Sequence, residues 1–244
     1  MAETKYILVL ANSARAGKHC VAGKFVIPRV DGKFDVGQQW IRLNCPNAPD
    51  GAVPYADTIC PNHGSVRPLD IVKIILGPEC NDGDHPEDWN YDPSQRWEFA
   101  ARFDPKNLSS IADTPDSIWH DGTQNNAVAA GYVRQMQISP ATLYLIKAPD
   151  NWVFTYWKEW NRFKGKDSTQ RKLTFSHAKK THEFSVTDTA FTARHKIYDK
   201  ATVQAQTITA RDLPNAFFCL SLTKLTPPDF NRLHYKICAT IFEP

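Results

Sequence analysis

The residues best suited to chemistry form an interleaved run of rings and cations rather than an acid–base pair. The run is Tyr156-Trp157-Lys158-Glu159-Trp160-Asn161-Arg162-Phe163-Lys164-Gly165-Lys166, followed by Arg171-Lys172 and Lys179-Lys180. Aromatic faces stack on unpaired bases while cations track phosphates, which is how single-stranded nucleic acid is held without base readout. Trp157, Trp160, Asn161, Arg162, Lys164 and Lys166 are therefore candidate ligand-binding residues. A strand edge whose rings alternate into a core and whose lysines are merely solvated gives the same pattern.

A second group lies at the start of the chain. Asn12, Ser13 and Arg15 sit in the polar stretch Asn12–Lys18, and Trp40 and Arg42 follow in a later strand. Arg42 has the fork geometry to grip a phosphate or a base edge, whereas Asn12 and Ser13 could equally close a turn through their own backbone. A third group is Asp84-His85-Pro86-Glu87-Asp88-Trp89. A His among carboxylates invites acid–base or metal chemistry, and the alternative is a stabilising loop with exposed acids and Trp89 plugging a barrel end. If His85 acts, a hydrogen bond to a ligand suits it better than catalysis. Asp188 reads first as a helix cap and second as a partner for a base amine or ribose hydroxyl.

No Gly-x-Ser-x-Gly elbow, Walker loop, HExxH helix or dinucleotide glycine fingerprint is present, so binding is favoured over catalysis. No cofactor is expected. Two alternative functions stay open: an enzyme of nucleotide or nucleic-acid metabolism using dispersed residues such as His85 and Asp188, and a protein-interaction adaptor. The six cysteines contain no CxxC pair, and Cys45, Cys60, His63 and Cys80 match no standard zinc spacing. Reduced thiols are expected.

These residues need elements to position them. Tyr6–Leu10 is a short aliphatic run suited to a buried strand, and Cys20–Ile27 is a second, with Gly23 marking a bulge or a close backbone approach. Gln38–Leu43 and Val66–Leu76 also read as strands. Cys45–Gly64, with four prolines, reads as a long loop, and Glu79–Pro93 as irregular. Asp104–Ala112 reads as a short helix, and Asp113–Asp116 as a helix start before Ser117-Ile118-Trp119. Thr142–Ile146 and Trp152–Trp157 look like a strand pair, as do Lys172–Ser176 and Thr181–Val186. Phe191–Tyr198 fits a helix crossing a barrel end, and Ala216–Leu222 and Tyr235–Ile241 are the closing strands. With about five short strands in each half and no regular strand–helix alternation, the expected fold is mostly β. It comprises two small OB-like barrels in tandem, residues 1–140 with long loops and residues 141–244.

The chain has 244 residues and a formal net charge of +3, unevenly spread. Residues 1–140 carry 13 Lys/Arg against 17 Asp/Glu, and residues 141–244 carry 16 against 9, giving −4 and +7. The second unit is thus the basic one, which favours polyanionic partners. No run reaches the roughly 18 apolar residues of a membrane span, and the polar start lacks a signal-peptide core, so a cytoplasmic location without membrane contact is expected.

Ten segments in order resemble the prokaryotic dual OB-containing domain family. They are LANS (Leu10–Ser13), HCVAG (His19–Gly23), WIR (Trp40–Arg42), RPLDIV (Arg67–Val72), HPEDW (His85–Trp89), LYLIK (Leu143–Lys147), EWNRF (Glu159–Phe163), EFSVTD (Glu183–Asp188), FCLSL (Phe218–Leu222) and YKICATI (Tyr235–Ile241). The resemblance spans nearly the whole chain. It implies two OB units, recognition of nucleic acid or a nucleotide-derived ligand, and a place in prokaryotic antiviral systems beside partner proteins.

Overall fold

The structure, a computed structural model, describes residues 3–15, 18–80, 84–122, 124–136, 141–162, 165–224 and 232–244, with the side chains of 14 and 15 left aside. Five strands of the first half roll into a closed barrel: β1 (Glu3–Arg15), β2 (Lys18–Pro28), β3 (Phe34–Asn44), β4 (Asp70–Glu79) and β5 (Asp88–Tyr91). Their order is β1-β2-β3-β5-β4, and β4 returns to pair with β1; β3 and β5 run parallel, the other pairs antiparallel. A sixth strand, β6 (Glu98–Arg102), lies on β4.

Alternation explains the barrel. Ile7 and Val9, Val21, Ile41 and Leu43, and Val72, Ile74 and Leu76 point inward and close over Tyr91 and Trp97. The intervening Leu8, Leu10, Ala22 and Trp40 point outward yet are also buried, against the second half of the chain. A strand buried on both faces reads as an unbroken apolar run, which is what Tyr6–Leu10 shows. Gly23 sits where β1 and β2 come closest: a Cβ there would stand 1.9 Å from the Leu8 carbonyl oxygen, and the register shifts opposite it.

The second sheet holds β7 (Ala127–Ala129), β8 (Leu143–Lys147), β9 (Val153–Asn161), β10 (Lys166–His177), β11 (Lys180–Val186), β12 (Gln206–Thr209), β13 (Phe217–Leu222) and β14 (Leu233–Phe242). Its order is β8-β13-β14-β11-β10-β9-β12, with β7 on β14 and β11 parallel to β14. The sheet repeats the first plan, with the long opening strand divided: β8 carries its pairing to β13 and β9 its pairing to β10. The interior is filled by Phe154, Leu173, Phe175, Phe184, Phe218 and Trp152. Helices α1 (Leu108–Ile111), α2 (Thr189–Arg194) and α3 (Ile197–Lys200) are short. The break between α2 and α3 falls at Lys196, which is left-handed (φ 53°).

Several sequence expectations need correction. Asn12 and Ser13 are strand, not loop, because they pair with Val21 and Cys20 in continuing register. Glu79–Pro93 contains a true strand, β5, whose parallel pairing with β3 closes the barrel. Strands β8 and β9 do not pair with each other. No helix starts at Asp113, whose carboxylate instead accepts from Trp40 Nε1 (2.9 Å), the Leu145 amide (2.7 Å) and Lys24 Nζ (2.6 Å).

That carboxylate ties the barrels together, since Lys24 and Trp40 belong to the first and Leu145 to the second. Lys24 is fully buried, and its ammonium also donates to the Ile111 carbonyl at 2.7 Å. Breaking a buried pair by removing one partner leaves an uncompensated charge. Asp113→Ala should therefore cost about 3 kcal/mol in urea unfolding, and Lys24→Met combined with Asp113→Leu should recover only the part due to the stranded charge, because Trp40 Nε1 and the Leu145 amide still lack an acceptor.

Candidate ligand site

Where the barrels meet, the facing surfaces are filled by Leu8, Leu10, Leu143, Leu145 and Phe217. Further along the same strands the outward residues shrink to Ala11, Ser13, Ala22 and Ala239. The surfaces then no longer fill the space between them, and a cleft of about 390 Å3 opens. The first barrel contributes Ser13, Cys20 and Arg42 to its lining, and the second contributes Ser185, Ser221 and Tyr235. Lys224, His19 and Asp50 also line it.

Arg42 is the anchor of this region. Its Nη2 donates to Thr142 Oγ1 (2.9 Å), Ser221 Oγ (3.2 Å) and the Leu222 carbonyl (3.3 Å), all on the second barrel. Its Nη1 stands 3.5 Å from Asp88 Oδ1 and makes no hydrogen bond. Asp88 is buried and also pairs with Lys224, whose Nζ donates to Asn44 Oδ1 at 2.9 Å. Glu87 accepts from the Thr142 amide (2.5 Å) and hydroxyl (2.8 Å). The acids of the HPEDW segment are thus not exposed; they are drawn inward to hold the second barrel. At the cleft wall, His19 shares a 2.5 Å contact with Asn12 Oδ1, and burial lowers its pKa.

The sequence candidates separate accordingly. Ser13 and Arg42 line the cleft. Asn12 points away from a ligand role, donating to the Val66 carbonyl at 2.7 Å. The Arg15 side chain and Lys164 lie outside the described residues. Trp40 is buried under Lys24, with the ammonium 5.3 Å from its ring centroid. His85 is buried edge-on to His234, centroids 5.2 Å apart, and Trp89 is half-buried edge-on to Phe25. Neither His85 nor Asp188 lines the cleft. Asp188 caps α2, accepting from the Phe191 amide (2.8 Å) and, from β14, the Ile241 amide (2.9 Å). Burial, the largest influence, raises its pKa against the pull of those amides.

Trp157 and Trp160 are not brought together. They are three residues apart on β9, which pairs with β10 without a register shift, so their side chains leave opposite faces of the hairpin. Trp160, Arg162 and Lys166 are exposed, and Asn161 is half-buried. Ser185, Ser221 and Tyr235 went unnoticed in the sequence because each is an isolated polar residue in a separate strand, and Lys224 because it stands alone just past the end of β13. Among the described residues no group of three or more His, Cys, Asp or Glu side chains is arranged to hold a metal. Cys45 and Cys60 are buried in the first core, and His63 stacks on Phe99 with centroids 3.8 Å apart.

A model of the dual OB-containing domain matches residues 5–241. The chain belongs to that family. No curated protein matches it, so the positions of individual site residues in this dual OB chain rest on its own geometry. Among the described residues no helix is long and apolar enough to cross a membrane.

The second OB unit also buries a lysine–histidine pair that does not line this cleft. Lys236 Nζ donates to the Asn125 carbonyl at 2.8 Å and stands 3.3 Å from His182 Nδ1. Burial, then the charge of Lys236 and of His120 and His177, lowers the His182 pKa to about 4; burial, opposed by Asp121, lowers that of Lys236 to about 8. Both groups bind protons more tightly in the unfolded chain, so stability rises with pH through each window. The windows are about 4 to 6.5 for His182 and about 8 to 10.5 for Lys236. The unfolding free energy from urea titration should therefore fall between pH 6.5 and 4, His182 contributing roughly 2–3 kcal/mol of the loss at the lower limit. A His182→Asn variant should lose most of that acid-side slope, whatever its stability at neutral pH.

Proposed function

We propose that the chain recognises a nucleic acid or a nucleotide-derived ligand in the cleft between its two barrels. In this reading residues 1–140 and 141–244, with β7 (Ala127–Ala129) of the first stretch joining the second sheet, supply two OB units of one cytoplasmic recognition module, which serves a prokaryotic antiviral defence system together with a partner protein. The observation that carries the binding role is the cleft itself. Its volume of about 390 Å3 falls in the range of roughly 300–1,000 Å3 used for small ligands, and both barrels supply its walls. Coarse support comes from the family, because OB barrels bind oligonucleotides and oligosaccharides over the face of their second and third strands.

The lining chemistry suits a sugar–phosphate better than a neutral apolar molecule. Arg42 and Lys224 share one carboxylate, Asp88, two cations against one anion, and the hydroxyls of Ser13, Ser185, Ser221 and Thr223 can bond a ribose or phosphate oxygen. The ring of Tyr235 offers a face for a base. Asp50, ion-paired to Lys18 at 3.0 Å, is the carboxylate on the opposite wall.

Calorimetry with nucleotides and short single strands at increasing salt tests the reading. Phosphate contacts make log K fall linearly with log salt, and that slope is expected. Ser185→Phe fills the cleft from the outer face of β11 without touching the core; it should weaken binding at least about tenfold, the equivalent of ~1.4 kcal/mol, at an unchanged unfolding midpoint. Salt-independent binding that Ser185→Phe leaves intact would exclude the cleft.

A further inference from the structure

The end of the second barrel carries a different surface. The β9–β10 hairpin keeps one register from Val153 opposite Thr174 to Asn161 opposite Lys166. Phe154 and Tyr156 on β9, and Leu173 and Phe175 on β10, point into the barrel. Alternation then places Lys158 and Trp160, with Arg171 on the partner strand, on that same face where the hairpin runs past the barrel end. There α2 and α3 close the barrel. Arg171 Nη1 donates to Thr192 Oγ1 at 3.1 Å, and its guanidinium lies 5.4 Å from the ring centroid of Tyr198. Trp160 is 61% exposed and Tyr198 52%. Single exposed rings are ordinary on a protein surface, so it is their place among cations that sets these two apart.

Charge decides what that surface fits. On the opposite face of the hairpin, Lys172 pairs with Glu183 (2.8 Å) and Trp157 Nε1 donates to Glu159 (2.9 Å), whose carboxylate keeps its negative charge, so that face offers a polyanion less. On the Trp160 face, Lys158 and Arg171, and at the tip Arg162, form no ion pair among the described residues; Lys166, opposite Asn161, leaves on the Trp157 face. The neighbouring carboxylates are Asp167, opposite Trp160, and Asp199 on α3. Three cations, Lys158, Arg162 and Arg171, against two anions, flanked by two open rings, match a chain of bases and phosphates.

We propose that Trp160, Lys158, Arg171 and Tyr198, with Arg162 at the tip, form a second contact site, for single-stranded nucleic acid, separate from the inter-barrel cleft. Four residues of strand from Tyr156, opposite Arg171, to Trp160 span about 13 Å, room for roughly three or four bases at ~3.4 Å each. The rings stack on bases and the lysine and arginines follow the phosphates. The site shares no residue with the cleft, so either can fail alone.

The test is fluorescence anisotropy of a labelled deoxythymidylate strand of about 15 nucleotides binding to the full chain. Trp160→Ala and Tyr198→Ala should each weaken binding by roughly 5- to 100-fold. Lys158→Gln and Arg162→Gln should each reduce the salt slope by about 0.7. Trp157→Ala should bind like the wild type. Trp160 is open to solvent, so its loss should leave the unfolding midpoint in place, and calorimetric binding of a mononucleotide to the cleft should not change. The proposal is overturned if the strand does not bind, if Trp160→Ala binds as tightly as the wild type, or if Trp157→Ala is equally impaired. It is also overturned if a poly-glutamate peptide competes as well as the strand does, because the surface would then be selecting charge alone.

Discussion

Charged groups stripped of water must find partners, and in this chain the partners lie across a seam between two barrels. Arg42 and Asp88, already neighbours on β3 and β5, need Thr142, Ser221 and Lys224 from the second half to complete their contacts. Lys24 and Trp40 need Asp113 and, through it, the Leu145 amide. Neither barrel could keep these groups in a dry environment alone. The seam is also sewn at its apolar centre, where Thr240 on β14 donates to the Leu10 carbonyl on β1 at 2.8 Å. The relative position of the barrels is therefore a condition of satisfied charge as much as of buried area.

This has a consequence for binding. The outer face of β1, β2 and β3, the face an isolated OB barrel would offer to a ligand, is largely spent on the neighbouring barrel. What stays open is the end where Ser13, Cys20 and Ala22 are too small to reach across. A ligand there touches both units and feels the groups that hold them, Arg42 above all. Recognition and the fixing of the two barrels thus draw on the same guanidinium, which makes Arg42 a poor test residue and Ser185 a better one.

Much of the fold was legible in the sequence where the determinant was local. The β10–β11 hairpin follows from alternation on both sides of a turn whose Ala178 and Lys179 take positive φ, and Asp188 was recognisable as a cap from its place before an apolar helix. Strand β5 was not legible, because four residues between Pro86 and Pro93 become a strand only through parallel pairing with a segment more than forty residues away. Asp113 misled for the same reason: Asp-Thr-Pro-Asp has the local form of a helix start, and its partners at positions 24, 40 and 145 are invisible from the neighbourhood. The rings of the basic segment are the opposite case. A spacing of three on a strand already states that Trp157 and Trp160 diverge, and what was lacking was knowledge of which face of β9 the barrel would take.

The charge asymmetry of the two halves survives folding and gives the surfaces different work. The seam consumes Lys24 and Arg42 with Glu87, Asp88 and Asp113 from the first 140 residues, and Lys224 from the rest. Removing these six from the −4 and +7 leaves −3 and +6, so the field outside the protein still runs from an acidic first barrel to a basic second one. A polyanion approaching within a Debye length of about 8 Å is steered toward the second barrel. The unpaired cations beside Trp160 lie at the far end of that gradient, while the cleft lies at its middle, where field is weaker and enclosure greater. A long flexible strand gains most from the first location and a small phosphorylated molecule from the second. The two proposed sites would thus hold their ligands without competing for one set of contacts.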